Sequence, residues 1–205
     1  MPLRTECPRC PTPLDAGACP EHGPTPALSR PDEASYDGFV EALSTAGDLP
    51  TYVPWPMSPG WAVSDFAVVG RDGARATMTC SSGSSALDGP VDVFVVSEEP
   101  GTGLGARCAG TMHIDPGCEI GAGVPMVRVR VGSQSVPLWA VSTATSDRDL
   151  DRSVVAGEAG GRWLWVVVQP ASAILLLRDE WILRDASAIG PPLVEIPFGG
   201  PSPAW

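Results

Sequence analysis

Basic residues and histidines are scarce in this 205-residue sequence. It contains 13 Lys and Arg residues against 24 Asp and Glu, a formal net charge of −11, and two histidines. A surface of this charge repels a phosphate backbone, and no basic cluster is present, so nucleic acid is not the expected partner. Hydrolytic triads need a histidine base. His113 is the only candidate, because His22 belongs to a cysteine motif.

Long apolar segments and targeting features are also absent. The longest apolar run, residues 163–177, is interrupted by Gln169 and Pro170 and is too short to span a bilayer. The first six residues lack the apolar core of a signal peptide. We therefore expect a cytoplasmic protein without a transmembrane helix. In that reducing compartment, the cysteines outside the N-terminal motif are expected to be free thiols: Cys80, Cys108 and Cys118.

Common catalytic motifs are missing. The chain has no G-x-S-x-G elbow, no phosphate loop and no H-E-x-x-H helix. The run 146–152 carries Asp147, Asp149 and Asp151, but it lacks the glycine and the closing glutamate of a calcium loop. A solvated charged loop is expected there. No catalytic residue is predicted, and the sequence leans away from an enzyme.

The most informative motif is a pair of short turns near the N-terminus. Cys7 and Cys10 are separated by two residues, and so are Cys19 and His22. Four such ligands at this spacing suit a tetrahedral divalent metal, so a zinc ion is the expected cofactor. Four protein ligands leave no position for water or substrate, which predicts a structural role. The alternative is that these cysteines are unmetallated or disulfide-bonded.

The two turns differ in the residue that follows the second ligand. Gly23 follows His22 and tolerates the positive φ that such a turn needs. Pro11 follows Cys10; proline locks φ negative and has no N–H to donate to a sulfur, so this turn must close differently. Residues 15–17 predict a hairpin tip between the pairs. A segment of about 25 residues buries too little apolar surface to fold alone, so metal binding would supply its folding free energy.

The remaining sequence predicts one helix followed by a β-rich domain. Residues 24–30 are Pro-rich and predict a semi-rigid spacer. A helix is expected to start within residues 31–35, with the acidic residues of that segment in its first turn, and to end at Gly47, because apolar residues recur on one face at positions 36, 39, 40 and 43. Prolines exclude a regular central strand at 51–56 and 58–61, where an ordered loop with two buried tryptophans, Trp55 and Trp61, is expected.

Short β-rich runs separated by glycines begin at Ala62. The predicted strands are 62–69, 74–80, 91–97, 126–131, 138–143, 153–157, 162–168 and 181–184, and residues 171–177 fit either a helix or a strand. Tight turns at 71–73 and 159–161 indicate antiparallel neighbours. The expected fold class is α+β, mostly antiparallel β. The expected segments are a zinc knuckle (1–27), a spacer with one helix (28–50), a β-rich domain (51–190) and a loosely packed tail (191–205).

A glycine loop follows the third predicted strand. Residues 101–106 match the dinucleotide-binding pattern G-x-G-x-x-A, but two carboxylates precede it and residues 108–117 make a poor helix, so a tight glycine turn is expected instead. One of Glu98 and Glu99 is expected to pair with Arg107. An alternative function, as a ligand-binding domain or enzyme, would use this loop together with Glu158 and Trp163 in an apolar pocket.

A second metal site is a weaker hypothesis. Cys108, His113 and Cys118 are evenly spaced, but the four-residue spacers form no knuckle turns. Free core thiols beside a surface histidine are expected instead.

Several motifs together resemble a family of uncharacterised actinobacterial proteins of about this length. They are Cys7-x-x-Cys10 with Cys19-x-x-His22-Gly23, Pro54-Trp55-Pro56 through Gly60-Trp61, Glu98-Glu99 with Gly103-Leu104-Gly105-Ala106-Arg107, Leu138-Trp139-x-Val141-Ser142, and Gly157-Glu158-Ala159-x-Gly161-x-Trp163-Leu164-Trp165. The family usually has glycine after the second cysteine, where this chain has Pro11. The resemblance implies a cytosolic protein with a zinc-ribbon-like segment and no assigned activity, so it supplies no catalytic residues.

We therefore expect a zinc-stabilised protein-interaction or assembly module, with a protein partner or a second copy of the chain. Seven tryptophans favour this, because aromatic side chains are enriched at interfaces. A transcription-associated zinc-ribbon protein is a further alternative. Nucleic-acid binding by such a protein would require a basic face, which the composition of this chain does not show.

Overall fold

The computed structural model describes residues 4–70, 73–143, 151–179 and 181–205. Its strands are β1 (Arg4–Glu6), β2 (Ala18–Cys19), β3 (Gly23–Pro24), β4 (Leu28–Arg30), β5 (Tyr52–Pro54), β6 (Ala62–Val69), β7 (Ala76–Ser85), β8 (Gly89–Glu98), β9 (Val127–Val131), β10 (Gln134–Ala140), β11 (Ser153–Ala159), β12 (Arg162–Gln169) and β13 (Ile182–Asp185). Its helices are α1 (Tyr36–Ala46) and α2 (Leu104–Ala109), with 3₁₀ turns at Gly117–Glu119, Ala171–Asp179, Ala186–Ala188 and Pro191–Glu195.

Within these ranges, eleven strands form one sheet in the order β1-β4-β6-β7-β8-β12-β11-β10-β9-β13-β5, and β2 pairs with β3 in a separate hairpin. The pairs are antiparallel except β13 with β9. The predicted α+β class with mostly antiparallel strands is confirmed. No helix in the described part of the chain has the length and apolarity needed to cross a bilayer.

Both faces of the central strands are buried, which explains their nearly continuous apolar sequences. Along β8, Val93 and Val95 belong to one core, while Phe94 and Val96 belong to another on the opposite face. The first core also receives side chains from β9, β10 and the 3₁₀ turn at Ala171–Asp179, and the second receives α2. A third core surrounds Phe39 of α1.

Helix α1 ends at Gly47 as predicted, but it begins at Tyr36, after the predicted start within residues 31–35. The Ser35 hydroxyl accepts a hydrogen bond from the N–H of Gly38 at 3.3 Å, and Gly47 ends the helix with φ +57°. Phe39 is fully buried and packs edge-on against Phe66. Val40 is 41% exposed, so the predicted apolar stripe is only partly covered.

The strand predictions agree best where glycine turns flank apolar runs. β6 has the predicted bounds, and Gly160 and Gly161 connect β11 to β12 as the expected antiparallel hairpin. The proposed turn at Arg71 and Asp72 lies outside the described residues. Residues 171–177 belong to a 3₁₀ turn, in which Ala173 and Leu177 are buried. The proline-rich segment after Thr51 contributes a short strand, β5, at the edge of the sheet.

The expected spacer is part of the sheet. Residues 28–30 form β4, which pairs with β1 on one side and β6 on the other. The spacer prediction is wrong here because completely buried Leu28 anchors the segment in the second core. Pairing with β4 therefore connects the N-terminal segment directly to the main sheet.

The C-terminal segment packs closely, contrary to the expectation of a loose tail. The carbonyl oxygen of Pro197 accepts from Val63 N–H at 2.8 Å, and Ile196 is 5% exposed. At its end, the Trp205 indole N–H donates to Asp65 Oδ2 at 2.8 Å. The Trp205 ring contacts two guanidinium groups, with its centroid 4.6 Å from Arg30 Cζ and 4.4 Å from Arg107 Cζ.

Asp65, which accepts the hydrogen bond from the Trp205 indole, is a buried side chain with several donors. It is 1% exposed, and both Arg30 Nη2 (2.6 Å to Oδ2) and Arg30 Nε (3.1 Å to Oδ1) donate to it. Burial raises the pKa of Asp65, although the Arg30 charge acts in the opposite direction. A buried carboxylate of this kind needs each of its donors.

Replacing Trp205 with alanine removes one hydrogen bond to Asp65 and both ring–guanidinium contacts. We expect the free energy of unfolding to fall by about 2–3 kcal/mol, measured by urea titration. Trp205→Phe retains a ring and loses the donor, so its stability should lie between those of wild type and Trp205→Ala. Leu87→Ala, at a side chain that is 90% exposed, is the control. Equal stability of Trp205→Ala and the control would contradict the close packing of the segment.

Candidate metal centre

The four predicted ligands converge on one point. Cys7 directly follows β1, Cys19 ends β2, and His22 lies in the turn between β2 and β3. His22 Nδ1 is 3.6 Å from Cys7 Sγ and 3.5 Å from Sγ of both Cys10 and Cys19, and the sulfurs of Cys10 and Cys19 are 3.6 Å apart. All four ligand atoms lie within 4.8 Å of one another.

These separations fit a tetrahedral metal. With metal–sulfur bonds of about 2.3 Å and a metal–nitrogen bond of about 2.0–2.1 Å, ligand atoms at tetrahedral angles are about 3.5–3.8 Å apart. A disulfide would need sulfurs about 2.05 Å apart, so the disulfide alternative is wrong. Across the described residues, this is the one group of three or more potential metal ligands that converges. Cys7, Cys10, Cys19 and His22 are positioned to bind a metal ion.

The local backbone shows how each turn closes. Gly23 has φ +68°, the left-handed conformation predicted for the second turn. In the first turn the Arg9 N–H donates to Cys7 Sγ at 3.4 Å, and the Cys7 N–H donates past Pro11 to the Thr12 carbonyl at 3.0 Å. Neither of these two hydrogen bonds needs an N–H group from Pro11, so the first turn accommodates the proline.

The backbone also affects the charge of the sulfurs. Burial raises the pKa of the Cys7 thiol to about 11, and the Arg9 N–H opposes this shift. The pKa of the Cys19 thiol is lowered instead. Burial raises this pKa, but the hydrogen bonds from the N–H groups of Glu21 and His22 lower it by more. These donors partly offset the negative charge that three thiolates bring to a metal site.

Arg107 of α2 attaches the metal centre to the main sheet. Its Nη1 donates to the carbonyl oxygens of Cys7 at 2.7 Å and Cys10 at 3.0 Å, and its Nη2 pairs with Glu6 Oε2 at 2.7 Å. In the opposite direction, Arg9 Nη2 donates to the carbonyl oxygen of Gly101 at 2.8 Å. Two arginines therefore cross between the cysteine turns and the glycine loop.

The expected pairing of Arg107 with Glu98 or Glu99 is wrong. Glu99 pairs with Arg75 at 3.1 Å on the surface. Glu98 is completely buried at the end of β8, where its Oε2 accepts from the N–H groups of Leu104 at 2.8 Å and Gly105 at 3.2 Å. These two N–H groups are at the start of α2, where a bound phosphate would lie in a dinucleotide fold. An internal carboxylate takes that place, in agreement with the argument against nucleotide binding.

Gly105 is required by close packing. A Cβ at this position would lie 2.3 Å from the Trp165 ring, so the helix can approach β12 only without a side chain. The glycine-rich loop thus brings the backbone of α2 against a core side chain.

The five candidate ligand-site residues are only partly brought together. Trp163 of β12 lies directly opposite Glu98 on one side and Glu158 of β11 on the other, so these three residues form one cross-strand row. Glu99 and Arg107 are engaged elsewhere. Of the five, Arg107 alone lines a cleft of 770 Å³ beside the cysteine turns. We call this the arginine cleft. Its charged and aromatic lining residues are Arg9, His22, Arg107, His113, Arg152 and Trp205.

The weaker metal hypotheses are not supported. Cys108 is a buried residue of α2, while His113 and Cys118 are exposed, and the three do not converge in the described structure. Asp115 accepts from Gly101 N–H at 2.8 Å, and Asp151 from Ala171 N–H at 3.2 Å. Asp147 and Asp149 lie outside the described residues.

Sequence reasoning missed Arg9, Arg152 and Trp205. Each has its contacts with residues far along the chain, such as Arg9 with Gly101 and Trp205 with Asp65. No local motif marks them.

The whole chain, residues 1–205, matches the model of a family of unknown function, DUF6758, and belongs to that family. No curated protein and no solved structure gives a significant match.

The buried Glu98 predicts a pH-dependent stability. Burial raises its pKa from 4.5 to about 7, although the N–H groups of Gly105 and Leu104 act in the opposite direction. Between pH 4.5 and 7 the unfolded chain releases this proton before the folded one, so rising pH favours unfolding. The contribution of Glu98 to stability is complete below pH 4.5 and decreases by about 3 kcal/mol above pH 7.

We therefore expect Glu98→Gln to gain stability relative to wild type as the pH rises from 5 to 8, measured by urea titration at each pH. Glu99→Gln, at the half-exposed neighbouring position, is the matched control and should not reproduce this gain. A pH-independent difference for Glu98→Gln would contradict the raised pKa.

Proposed function

We propose that this protein is a zinc-stabilised binding module whose metal has a structural role. Three cysteine sulfurs and one imidazole nitrogen form a donor set that zinc favours. The observation that carries the proposal is the closed arrangement of Cys7, Cys10, Cys19 and His22, with ligand atoms within 4.8 Å of one another. All four coordination positions are taken by protein atoms, so the metal supplies folding free energy and no reactive position.

Metal binding would hold the two cysteine turns in the shape in which they contact the main sheet. Arg107 donates to the carbonyls of Cys7 and Cys10, which can receive both bonds only when the turns have their folded shape. Zinc thus organises the wall of the arginine cleft formed by Arg9, Cys10 and His22.

We further propose a protein partner or a second copy as the binding partner of the module, in a reducing, cytoplasmic compartment. Large apolar side chains are exposed in the segment that follows α2: Met112 is 82% exposed, Val124 91% and Met126 52%. Exposed apolar residues in one segment favour an interface. The unpaired cysteines, including exposed Cys118, fit a compartment that keeps thiols reduced. We assign no catalytic residue.

Metal analysis and native mass spectrometry on one purified sample test this proposal. We expect one zinc per chain, and tetrahedral thiolate spectra after replacement by cobalt. Cys10→Ser should lower the metal content at least about fivefold, while Cys118→Ser, outside the site, should leave it unchanged. The same native spectrum reports a dimer or a co-purified protein. Metal content near zero in wild type, or equal content in both variants, would disprove the zinc assignment.

The anchoring role of Arg107 gives a separate prediction. In Arg107→Gln we expect zinc to remain bound while amide hydrogen exchange in residues 5–24 increases at least about tenfold, because the turns lose their contacts to α2. Arg128→Gln, an exposed arginine on β9, is the control. Unchanged exchange in Arg107→Gln would show that strand pairing alone holds the segment.

A further inference from the structure

The arginine cleft differs in charge from the rest of the molecule. The chain carries a net charge of −11, yet the residues that line the cleft include Arg9, Arg107 and Arg152 and no Asp or Glu. These three positive charges exceed the formal charge of −1 that a zinc ion with three thiolates would carry at the cleft wall, and a concave site with excess positive charge attracts anions. The cleft therefore favours anions although the protein as a whole repels them.

The arginines of the cleft are not equally neutralised. Arg107 has a carboxylate partner in Glu6 at 2.7 Å. Arg9 instead donates to the carbonyl oxygens of Gly101 and Thr102. Arg152, 7% exposed, donates to the Cys108 carbonyl and, with the Gln169 amide in the orientation that satisfies both groups, to the oxygen of that amide at 2.8 and 3.2 Å.

Two positive charges at the cleft thus have neutral partners. Within the described ranges, no Asp or Glu oxygen lies within 4.0 Å of Arg9 or Arg152. Arg152 is buried without a carboxylate partner among the described residues, which is costly, and an anion in the cleft would lower that cost. Arginine also binds carboxylate and phosphate groups through paired N–H donors.

The size and apolar lining of the cleft indicate the remaining chemistry. Its volume of 770 Å³ is in the range of small-molecule sites. Met112 and Ile114 also line it and offer apolar surface next to the arginines. A ligand with both an anionic group and an apolar part would contact both kinds of surface.

We propose that the arginine cleft binds a small organic anion whose carboxylate or phosphate group contacts Arg9 and Arg152 and whose apolar part lies against Met112 and Ile114. The inference rests on the proposed function, because Arg9, Cys10 and His22 form part of the cleft only when the cysteine turns are folded.

Titration of the full-length, metal-loaded protein with two probes tests the proposal. Inorganic phosphate and benzoate represent the two anion classes, and sodium chloride at equal ionic strength is the reference; binding is followed by calorimetry and by amide chemical shifts. We expect saturable binding of at least one probe. Arg9→Gln and Arg152→Gln should each weaken it at least about tenfold, whereas Arg128→Gln, outside the cleft, should bind like wild type. Because Arg152 is buried, Arg9→Gln keeps the test valid if the other variant misfolds.

Binding of phosphate alone would identify a phosphate-bearing ligand, and binding of benzoate alone a carboxylate. The proposal is overturned if neither probe binds beyond chloride, or if Arg9→Gln and Arg128→Gln bind equally. Zinc content is measured on the same samples to separate the two proposals. One zinc per chain without anion binding overturns the cleft alone, whereas Arg9-dependent binding without metal overturns the zinc assignment and leaves the cleft.

Discussion

The structure around the metal centre depends on the guanidinium group of Arg107. Its hydrogen bonds reach the carbonyls of Cys7 and Cys10 and the carboxylate of Glu6, and its face contacts the ring of Trp205. The side chain is 5% exposed, so this positive charge needs the Glu6 carboxylate nearby. A single buried cation therefore joins the metal-binding turns, β1, α2 and the C-terminal segment.

Polar contacts hold the N-terminal segment in place, because this segment is too short to form a hydrophobic core of its own. Three carboxylates from different parts of the chain are used internally. Glu6 pairs with Arg107, Asp65 with Arg30, and Glu98 with the first N–H groups of α2. Charge-assisted hydrogen bonds of this kind are directional, so they fix the relative position of segments that share few apolar contacts. These three carboxylates have partners inside the fold and do not line the arginine cleft, although the chain as a whole is acidic.

The predictable parts of the molecule are those encoded by neighbouring residues. The ligand set needed only the spacing of Cys7, Cys10, Cys19 and His22, because two short turns bring four donors to one ion. The existence and the end of helix α1 followed from its 3.6-residue period and Gly47, although its start was predicted too early, and β6 followed from an apolar run beside glycines. The parts that were not predicted involve residues distant in sequence: β4 between β1 and β6, Glu98 beneath α2, and Trp205 against Asp65.

Alone, the sequence determined the four residues positioned to bind a metal and the mostly antiparallel β class, because spacing and periodicity are properties of neighbouring residues. The folded chain determined which charges are paired and which are not. Arg9 and Arg107 both lie close to the cysteine turns, yet one meets carbonyl oxygens and the other a carboxylate. That difference arises from contacts across about 90–100 residues of chain, which no local pattern records, since burial and partner identity are set by packing.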